Sequence, residues 1–166
     1  MSAETMSAEK KCALALGLIF TFLGIAGLIP SLVSLPSAAM SGAAPITADQ
    51  IPATTGANYA AAYLRGFGYV FGLFPTNLLH NIAHLAVGLT GLYSATGDRG
   101  AFNYNRFFAI SYLVIGLMGL IPVTNHLFGI MPIFGNNVWL NLVTGAIAAY
   151  YAFVWHPQNA DPTVQL

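Results

Sequence analysis

The chain is poor in charged residues. Only 6% of its 166 residues are Asp, Glu, Lys or Arg, whereas soluble domains contain roughly a quarter. Its five acidic and five basic residues cancel, so it lacks the clustered positive charge that nucleic-acid binding needs. A single cysteine, Cys12, excludes an internal disulfide and a cysteine-based metal cage. Because 57% of the residues are hydrophobic, the composition is typical of a membrane protein.

Catalytic constellations are also missing. Asp49 is the only acid in the long segment after the first apolar run, and it has no second carboxylate at a fixed spacing. The sequence contains neither a Gly-x-Ser-x-Gly elbow nor a His-Glu-x-x-His motif. We therefore predict that the protein is not an enzyme, with no catalytic residues and no metal site.

What the sequence does contain is one segment twice. FGLFP begins at Phe71 and FGIMP begins at Phe128, an offset of 57 residues. Upstream, GLIP begins at Gly27 and recurs at Gly119, an offset of 92 residues. The difference between the offsets means that the first half carries a longer loop. Internal similarity in so apolar a chain indicates a duplicated membrane hairpin.

Four uncharged, apolar runs predict four membrane spans. They cover about residues 12–33, 76–95, 107–122 and 137–155. The predicted fold is all-α: an integral membrane four-helix bundle built from two parallel helical-hairpin repeats. Residues 1–166 would form a single membrane domain, with repeat 1 at about 12–95 and repeat 2 at about 106–155.

The basic residues predict the orientation. Lys10, Lys11, Arg99 and Arg106 fall on one side of a four-span chain. Positive charge marks the cytoplasmic side of a membrane, so both termini should be cytoplasmic. The first apolar run resembles a secretory signal, but its length favours a retained helix.

The segment 35–74 is predicted to be a long outer loop. Its first part is rich in Pro, Ala, Ser, Thr and Gly, and so cannot build a core of its own. Residues 59–74 are rich in aromatic side chains, which gather at membrane interfaces. We predict an extra interfacial helix there, before Pro75 starts the second span in the first helical turn, where proline is well tolerated.

Four polar positions stand out within the spans. His80 and His84 are four residues apart and share one helix face, and the offset of 57 places Asn137 and Asn141 at the equivalent positions. We predict a polar core seam formed by His80, His84, Asn137 and Asn141. One interpretation is structural hydrogen bonding between helices, because an unpartnered imidazole is costly in lipid. The other is cofactor binding, in which His80 or His84 contacts chlorophyll, carotenoid, haem or quinone.

The duplicated motifs carry a resemblance to a known family. In FGLFPTNLLHNIAHLAVGLTGLY from Phe71, GLMGLIP from Gly116 and FGIMPIFGNNVWLN from Phe128, the chain resembles small four-span membrane proteins of bacteria, photosynthetic and non-photosynthetic, catalogued only as a domain of unknown function. The resemblance implies the four-span fold. It implies no reaction, cofactor or substrate.

The function we expect is that of a non-catalytic accessory subunit of a larger membrane complex. Glycine rows and aromatic faces suit docking to other membrane subunits and lipid. The spread of the resembling family favours a photosystem or another electron-transfer complex, in the bacterial inner (plasma) or thylakoid membrane. The alternatives are a pigment-, haem- or quinone-binding protein, and a small enzyme or transporter that handles lipid or quinone.

Overall fold

The computed structural model describes residues 6–34 and 67–155, and this part of the chain is mostly helical. The four α-helices are α1 (Ala8–Ala26), α2 (Leu78–Ser94), α3 (Asp98–Gly119) and α4 (Asn136–Ala149). A π-helical segment, Tyr150–Val154, continues α4, and a 3₁₀ turn, Pro30–Leu32, follows α1. Three short strands, β1 (Val33–Ser34), β2 (Gly68–Val70) and β3 (Phe74–Thr76), pair in that order as an antiparallel sheet.

Local chemistry explains where α1 and α2 begin and where α1 ends. The Ser7 hydroxyl accepts a hydrogen bond from the Lys10 backbone N–H, and the Asn77 side chain accepts one from the His80 N–H. Both residues are side-chain types that cap helix N-termini well. Helix α1 ends at Ala26 because Gly27 follows it and Pro30 cannot continue an α-helix.

The helices form two hairpins that run in the same direction. Helix α1 packs mainly against α2, and α3 packs mainly against α4. At their first residues α1 and α3 are joined by Ser7, whose hydroxyl donates to Asp98 at 2.8 Å, and by an ion pair of 3.0 Å between Lys10 and Asp98. The Ser7 and Lys10 contacts hold the pKa of Asp98 below its usual value. Further along, Phe20 meets Tyr112, so α1 and α3 are parallel.

Glycines bring the two helices of each hairpin into backbone contact. A Cβ on Gly24 would lie 2.7 Å from the Leu85 side chain and 2.8 Å from the Leu85 nitrogen. A Cβ on Gly116 would lie 2.7 Å from the Leu142 side chain. The offset of 92 relates the two glycines and the offset of 57 relates the two leucines. The same close contact therefore occurs in both hairpins.

The reverse contact is duplicated as well. Gly88 of α2 faces Thr21 of α1, and Gly145 of α4 faces Leu113 of α3. These pairs obey the same two offsets. Each hairpin consequently has a glycine on both helices at equivalent places, and the two hairpins share one packing register.

The loops that precede α2 and α4 also share a backbone conformation. Phe71 and Gly72 have φ angles of 54° and 68°, and Phe128 and Gly129 have φ angles of 56° and 85°. A phenylalanine rarely adopts this left-handed conformation. In both loops the glycine N–H donates to the carbonyl three residues earlier, at 3.2 Å for Gly72 and 2.9 Å for Gly129. The repeat seen in the sequence therefore extends to the backbone conformation of these two turns.

Several predicted features are wrong. The described chain is mostly helical with four helices, as predicted, but it also includes a three-stranded sheet that the all-α prediction lacks. The interfacial helix predicted at 59–74 is replaced, over residues 67–74, by β2, a turn and the start of β3, and the rest of that segment lies outside the described residues. Pro75 lies in β3 and not in a helix, because the aromatic residues of this segment pair as strands. The first span was drawn to residue 33, but α1 ends at Ala26.

The described part contains one helix that is long and apolar enough to cross a membrane. It is the continuous segment Asn136–Val154, with a mean hydropathy of 1.3. Helix α2 is shorter, at 17 residues, and α1 carries Glu9, Lys10 and Lys11 in its first turn.

The glycine contacts generate a stability prediction. Gly24→Ala and Gly116→Ala should each lower the melting temperature of the purified protein, because the added methyl group meets the facing leucine. Alanine contributes about 1 kcal/mol of helix propensity, but overpacking costs roughly 1–3 kcal/mol, so we expect net destabilisation. Gly97→Ala is the control, since a Cβ there meets nothing within 4 Å. Unchanged melting in both helix variants would contradict the close approach.

Candidate functional site

All four polar residues predicted for the seam are buried. His80 and His84 lie one turn apart on α2, and Asn137 and Asn141 lie one turn apart on α4. Their exposed fractions range from 1% at Asn137 to 6% at His84. Groups that can form hydrogen bonds are rarely left unpaired at such depth, so their partners decide what the cluster can do.

The two imidazoles contact each other directly. The Nε2 atoms of His80 and His84 are 3.1 Å apart, and the ring centroids are 4.3 Å apart. One Nε2 must donate and the other must accept, so two neutral rings hold opposite tautomers. The edge of Phe20 also packs against His84, with centroids 5.1 Å apart. The Nε2 atom of each imidazole is therefore engaged in the hydrogen bond with the other imidazole.

Asn137 joins the two halves of the molecule. Its amide nitrogen donates to the Pro75 carbonyl at 2.6 Å and to the Pro132 carbonyl at 3.1 Å. The offset of 57 makes these two prolines equivalent, so Asn137 lies beside the axis that relates the repeats. His80 is the counterpart of Asn137, and it lies against the carbonyl of Pro132. The His80–Pro132 contact is therefore the counterpart of the Asn137–Pro75 contact.

Two polar atoms of this cluster are unpaired within the described residues. They are Nδ1 of His80 and Oδ1 of Asn137. His80 approaches the Pro132 carbonyl, but Nδ1 does not reach good hydrogen-bond geometry. Both atoms belong to equivalent residues, so the cluster is incompletely satisfied at the same point of each repeat.

An aromatic stack continues the cluster between α1 and α3. Phe20 and Tyr112 are equivalent residues at the offset of 92, and their ring centroids are 4.9 Å apart in an edge-to-face contact. Tyr112 stacks on Phe108 with centroids 3.8 Å apart. A residue that touches its own counterpart must lie beside the symmetry axis, so this pair marks where the axis passes between α1 and α3.

Sequence reasoning missed three asparagines that connect separate elements. Asn81 donates to the Gly27 carbonyl at 2.8 Å and accepts from the Thr76 hydroxyl at 2.6 Å. Asn77 donates to the Ile130 carbonyl at 2.9 Å, and Asn105 donates to the Glu9 carbonyl at 3.1 Å. Uncharged polar residues inside apolar runs were the available signal, because such residues are used to join helices in lipid.

The arrangement supplies hydrogen bonds and no charge. Among the described residues no group of three or more His, Cys, Asp or Glu side chains could hold a metal ion. The two carboxylates of that part, Glu9 and Asp98, lie at the first turns of α1 and α3. The histidine pair instead begins α2, near the last turn of α1. Neutral imidazoles and amides of this kind suit the joining of helices.

The histidine pair can be tested with a double-mutant cycle. His80→Leu and His84→Leu each leave one Nε2 buried without its partner, which costs roughly 1–3 kcal/mol. The double variant removes both groups, so its loss of unfolding free energy should be smaller than the sum of the two single losses. Chemical denaturation of all four proteins measures the coupling, and strictly additive losses would show that the rings are independent.

Asn137 and its neighbour Asn136 form a matched pair. Asn137→Leu should destabilise the protein strongly, because two proline carbonyls lose their donor at a cost of about 1–3 kcal/mol each. Asn136 is exposed and donates to the Leu73 carbonyl at 3.1 Å, so Asn136→Leu should cost less than about 1 kcal/mol. Thermal melting of the two variants distinguishes them. A larger loss at Asn136 would disprove the role assigned to Asn137.

Comparison with known proteins gives a family and nothing further. No curated protein and no solved structure matches the chain. The profile of one family, described as "Domain of unknown function (DUF4383)", matches residues 10–154, which include α2, α3, α4 and all but the first two residues of α1. The chain therefore belongs to the DUF4383 family.

Proposed function

We propose that the chain is an integral membrane protein whose four helices all span the bilayer, and that it is a non-catalytic accessory subunit of a larger membrane complex. The observation that carries the proposal is the distribution of side chains. Ten of the described polar residues are buried in the interior beside the apolar core, and Asn81 and Asn105 are each at 0% exposure. Large apolar residues face outward. Water favours the opposite arrangement.

The outward apolar residues occur on every helix. Phe22 of α1, Leu89 of α2, Phe107 of α3 and Trp139 of α4 are all more than half exposed. Contiguous apolar surface of this extent is not stable in water but is well solvated by lipid or by another membrane protein. Helix α2, at 17 residues, measures about 26 Å along its axis, close to the roughly 30 Å hydrocarbon core.

The charged residues support the proposed orientation. Lys10 and Asp98 pair where α1 and α3 begin. The Arg106 guanidinium lies 5.4 Å from the centre of the Phe102 ring and 5.6 Å from that of Phe153. Cations and aromatic rings are typical of a membrane–water boundary. We propose that this end faces the cytoplasm with both termini, and that the turns before α2 and α4 face outward.

A structural role is favoured over pigment binding at the histidine pair. A chlorophyll or haem ligand would need a free imidazole nitrogen pointing at open space. The Nε2 atoms of His80 and His84 point at each other, Phe20 packs against His84, and the unpaired Nδ1 of His80 is buried near Pro132, so it does not point at open space. Binding would require one ring to leave both contacts. An absorption spectrum of the purified protein tests the alternative, since a Soret or red band would favour a bound tetrapyrrole.

The host that we propose is a photosystem or another electron-transfer complex, in the bacterial inner or thylakoid membrane. Support comes from the occurrence of the resembling proteins in photosynthetic bacteria, and from glycine-lined helices with exposed aromatic faces. The partners are then other membrane subunits and lipid.

One experiment tests both parts of the proposal. Membranes that contain the tagged native chain are washed with alkaline carbonate, then dissolved in mild detergent, cross-linked and purified. We expect the chain to resist the carbonate wash and to elute with the same membrane subunits at fixed stoichiometry, as measured by quantitative mass spectrometry. Release by carbonate would refute membrane integration. A monodisperse particle that contains this chain alone would refute the accessory role.

A further inference from the structure

One difference between the two repeats lies in the turn before α4. In the first half Val70 and Tyr69 lie in β2 and pair with β1 and β3. Their equivalents, Leu127 and His126, do not form a strand, and Leu127 has a left-handed φ of 43°. The chain therefore turns one residue earlier in the second half. Where duplicated halves diverge, one copy has acquired a feature that the shared fold does not require.

A cleft lies beside this turn. It encloses about 80 Å³ and is half open to the surface. Its walls are formed by residues of the β2 entry, the start of α2 and the turn itself: Phe67, Asn77, His126, Gly129, Ile130, Met131 and Pro132. An engineered apolar cavity of about 150 Å³ takes up a whole benzene ring, so this cleft accepts part of a ring while the remainder stays outside.

His126 presents one defined nitrogen. Its Nδ1–H donates to the Asn125 side-chain oxygen at 2.7 Å, because that oxygen can only accept. In the neutral ring Nε2 therefore carries a lone pair and no proton. The backbone holds the turn in place, since the His126 carbonyl accepts from the Gly129 and Met131 N–H groups. His126 is exposed, so its acceptor nitrogen is available to a ligand.

Aromatic rings flank this acceptor. The centre of the Phe134 ring lies 4.9 Å from that of His126, and the Phe67 ring lies 6.1 Å away at a steep angle. The polar group that shares the cleft, the Asn77 amide, already donates to the Ile130 carbonyl at 2.9 Å. Among the residues that the structure describes, the cleft thus combines the His126 imidazole with aromatic and aliphatic walls, and none of its described lining residues is cationic.

We propose that this cleft binds the hydroxyl group of a phenolic ring, with a membrane quinol as the ligand class. A phenolic hydroxyl donates to the His126 Nε2, and the ring packs against Phe67 in the wall of the cleft. Among the described lining residues, a metal ion would find His126 as its single side-chain ligand of the usual kind, and an anion would find no cationic side chain. The oxidised quinone has only carbonyl acceptors, so it cannot pair with an unprotonated Nε2. The cleft should therefore distinguish the reduced form from the oxidised form.

The site is independent of the histidine pair in α2. It depends on the proposed membrane topology only for its position at the outer surface, where a quinol headgroup resides. Carbonate extraction and subunit stoichiometry do not involve His126, so either proposal can fail without the other.

Nitrogen NMR of ¹⁵N-histidine-labelled protein in lipid nanodiscs tests the proposal. Two matched pairs serve as probes, phenol with anisole and duroquinol with duroquinone, under argon. We expect one Nε2 resonance to move and saturate with phenol and with duroquinol, and to stay unchanged with anisole and duroquinone. A tailed quinol, decylubiquinol, identifies the source: tighter binding than phenol indicates a membrane quinol, whereas equal binding indicates a water-soluble phenol.

Variants assign the resonance and supply controls. His126→Phe should abolish the response. Tyr69→Phe changes the equivalent residue of the first repeat and should leave it intact. Asn125→Ala removes the acceptor that fixes the tautomer of His126. It should weaken binding about tenfold, which corresponds to a loss of roughly 1.4 kcal/mol of binding free energy. Should His126→Phe fold poorly, judged by its melting temperature, His126→Gln replaces it. Equal binding of duroquinol and duroquinone, or a response that survives loss of the imidazole, would overturn the proposal.

Discussion

Close approach of helix backbones at glycine is the constraint on which the rest of the structure depends. Gly24 and Gly116 each admit a leucine of the neighbouring helix at a distance that no side chain would permit. Dispersion contacts between closely packed backbones are individually small but add up along each pair of helices. The helix positions that follow from these contacts place His80, His84 and Asn137 in the interior.

Hydrogen bonds from polar side chains join the helices and turns that the packing contacts bring together. Asn81 ties the end of α1 to α2, and Asn137 ties the proline turn of one repeat to that of the other. Hydrogen bonds of this kind have a defined direction, whereas apolar contacts do not. They fix how the hairpins are oriented once the glycines have set their distance. Asparagine amides and a histidine pair therefore specify the interior together with the apolar core around Phe20 and Phe108.

The sequence was a good guide to the helices and a poor one to the turns. The apolar runs predicted α2 and α4 within a few residues, because helix length and apolar content are properties of the run itself. The segment from Phe67 to Thr76 was misread as helical, since aromatic residues suit an interface and a strand equally well. The paired strand β1 lies more than 30 residues away in sequence. No local pattern reveals such a contact.

For the site, the repeat identified which residues were equivalent but not which ones touched. Burial of His80 and Asn141 could be predicted because both lie within long apolar runs. The contact between the two imidazoles depends on rotamers, and the bridge from Asn137 to Pro75 depends on how two repeats meet. The tautomer of His126 depends on its hydrogen bond to the adjacent Asn125. That two residues are neighbours in the sequence does not show that their side chains form a hydrogen bond.

The contact between Phe20 and Tyr112 has an evolutionary consequence. In a symmetric pair of separate chains, a residue beside the twofold axis must meet an identical copy of itself, and every substitution there occurs twice. Once both halves belong to one polypeptide, each copy mutates alone. A phenylalanine can then face a tyrosine, and a histidine can stand where the other half has an asparagine. Covalent fusion thus released the central positions from self-complementarity, and the two ends of the molecule became free to specialise.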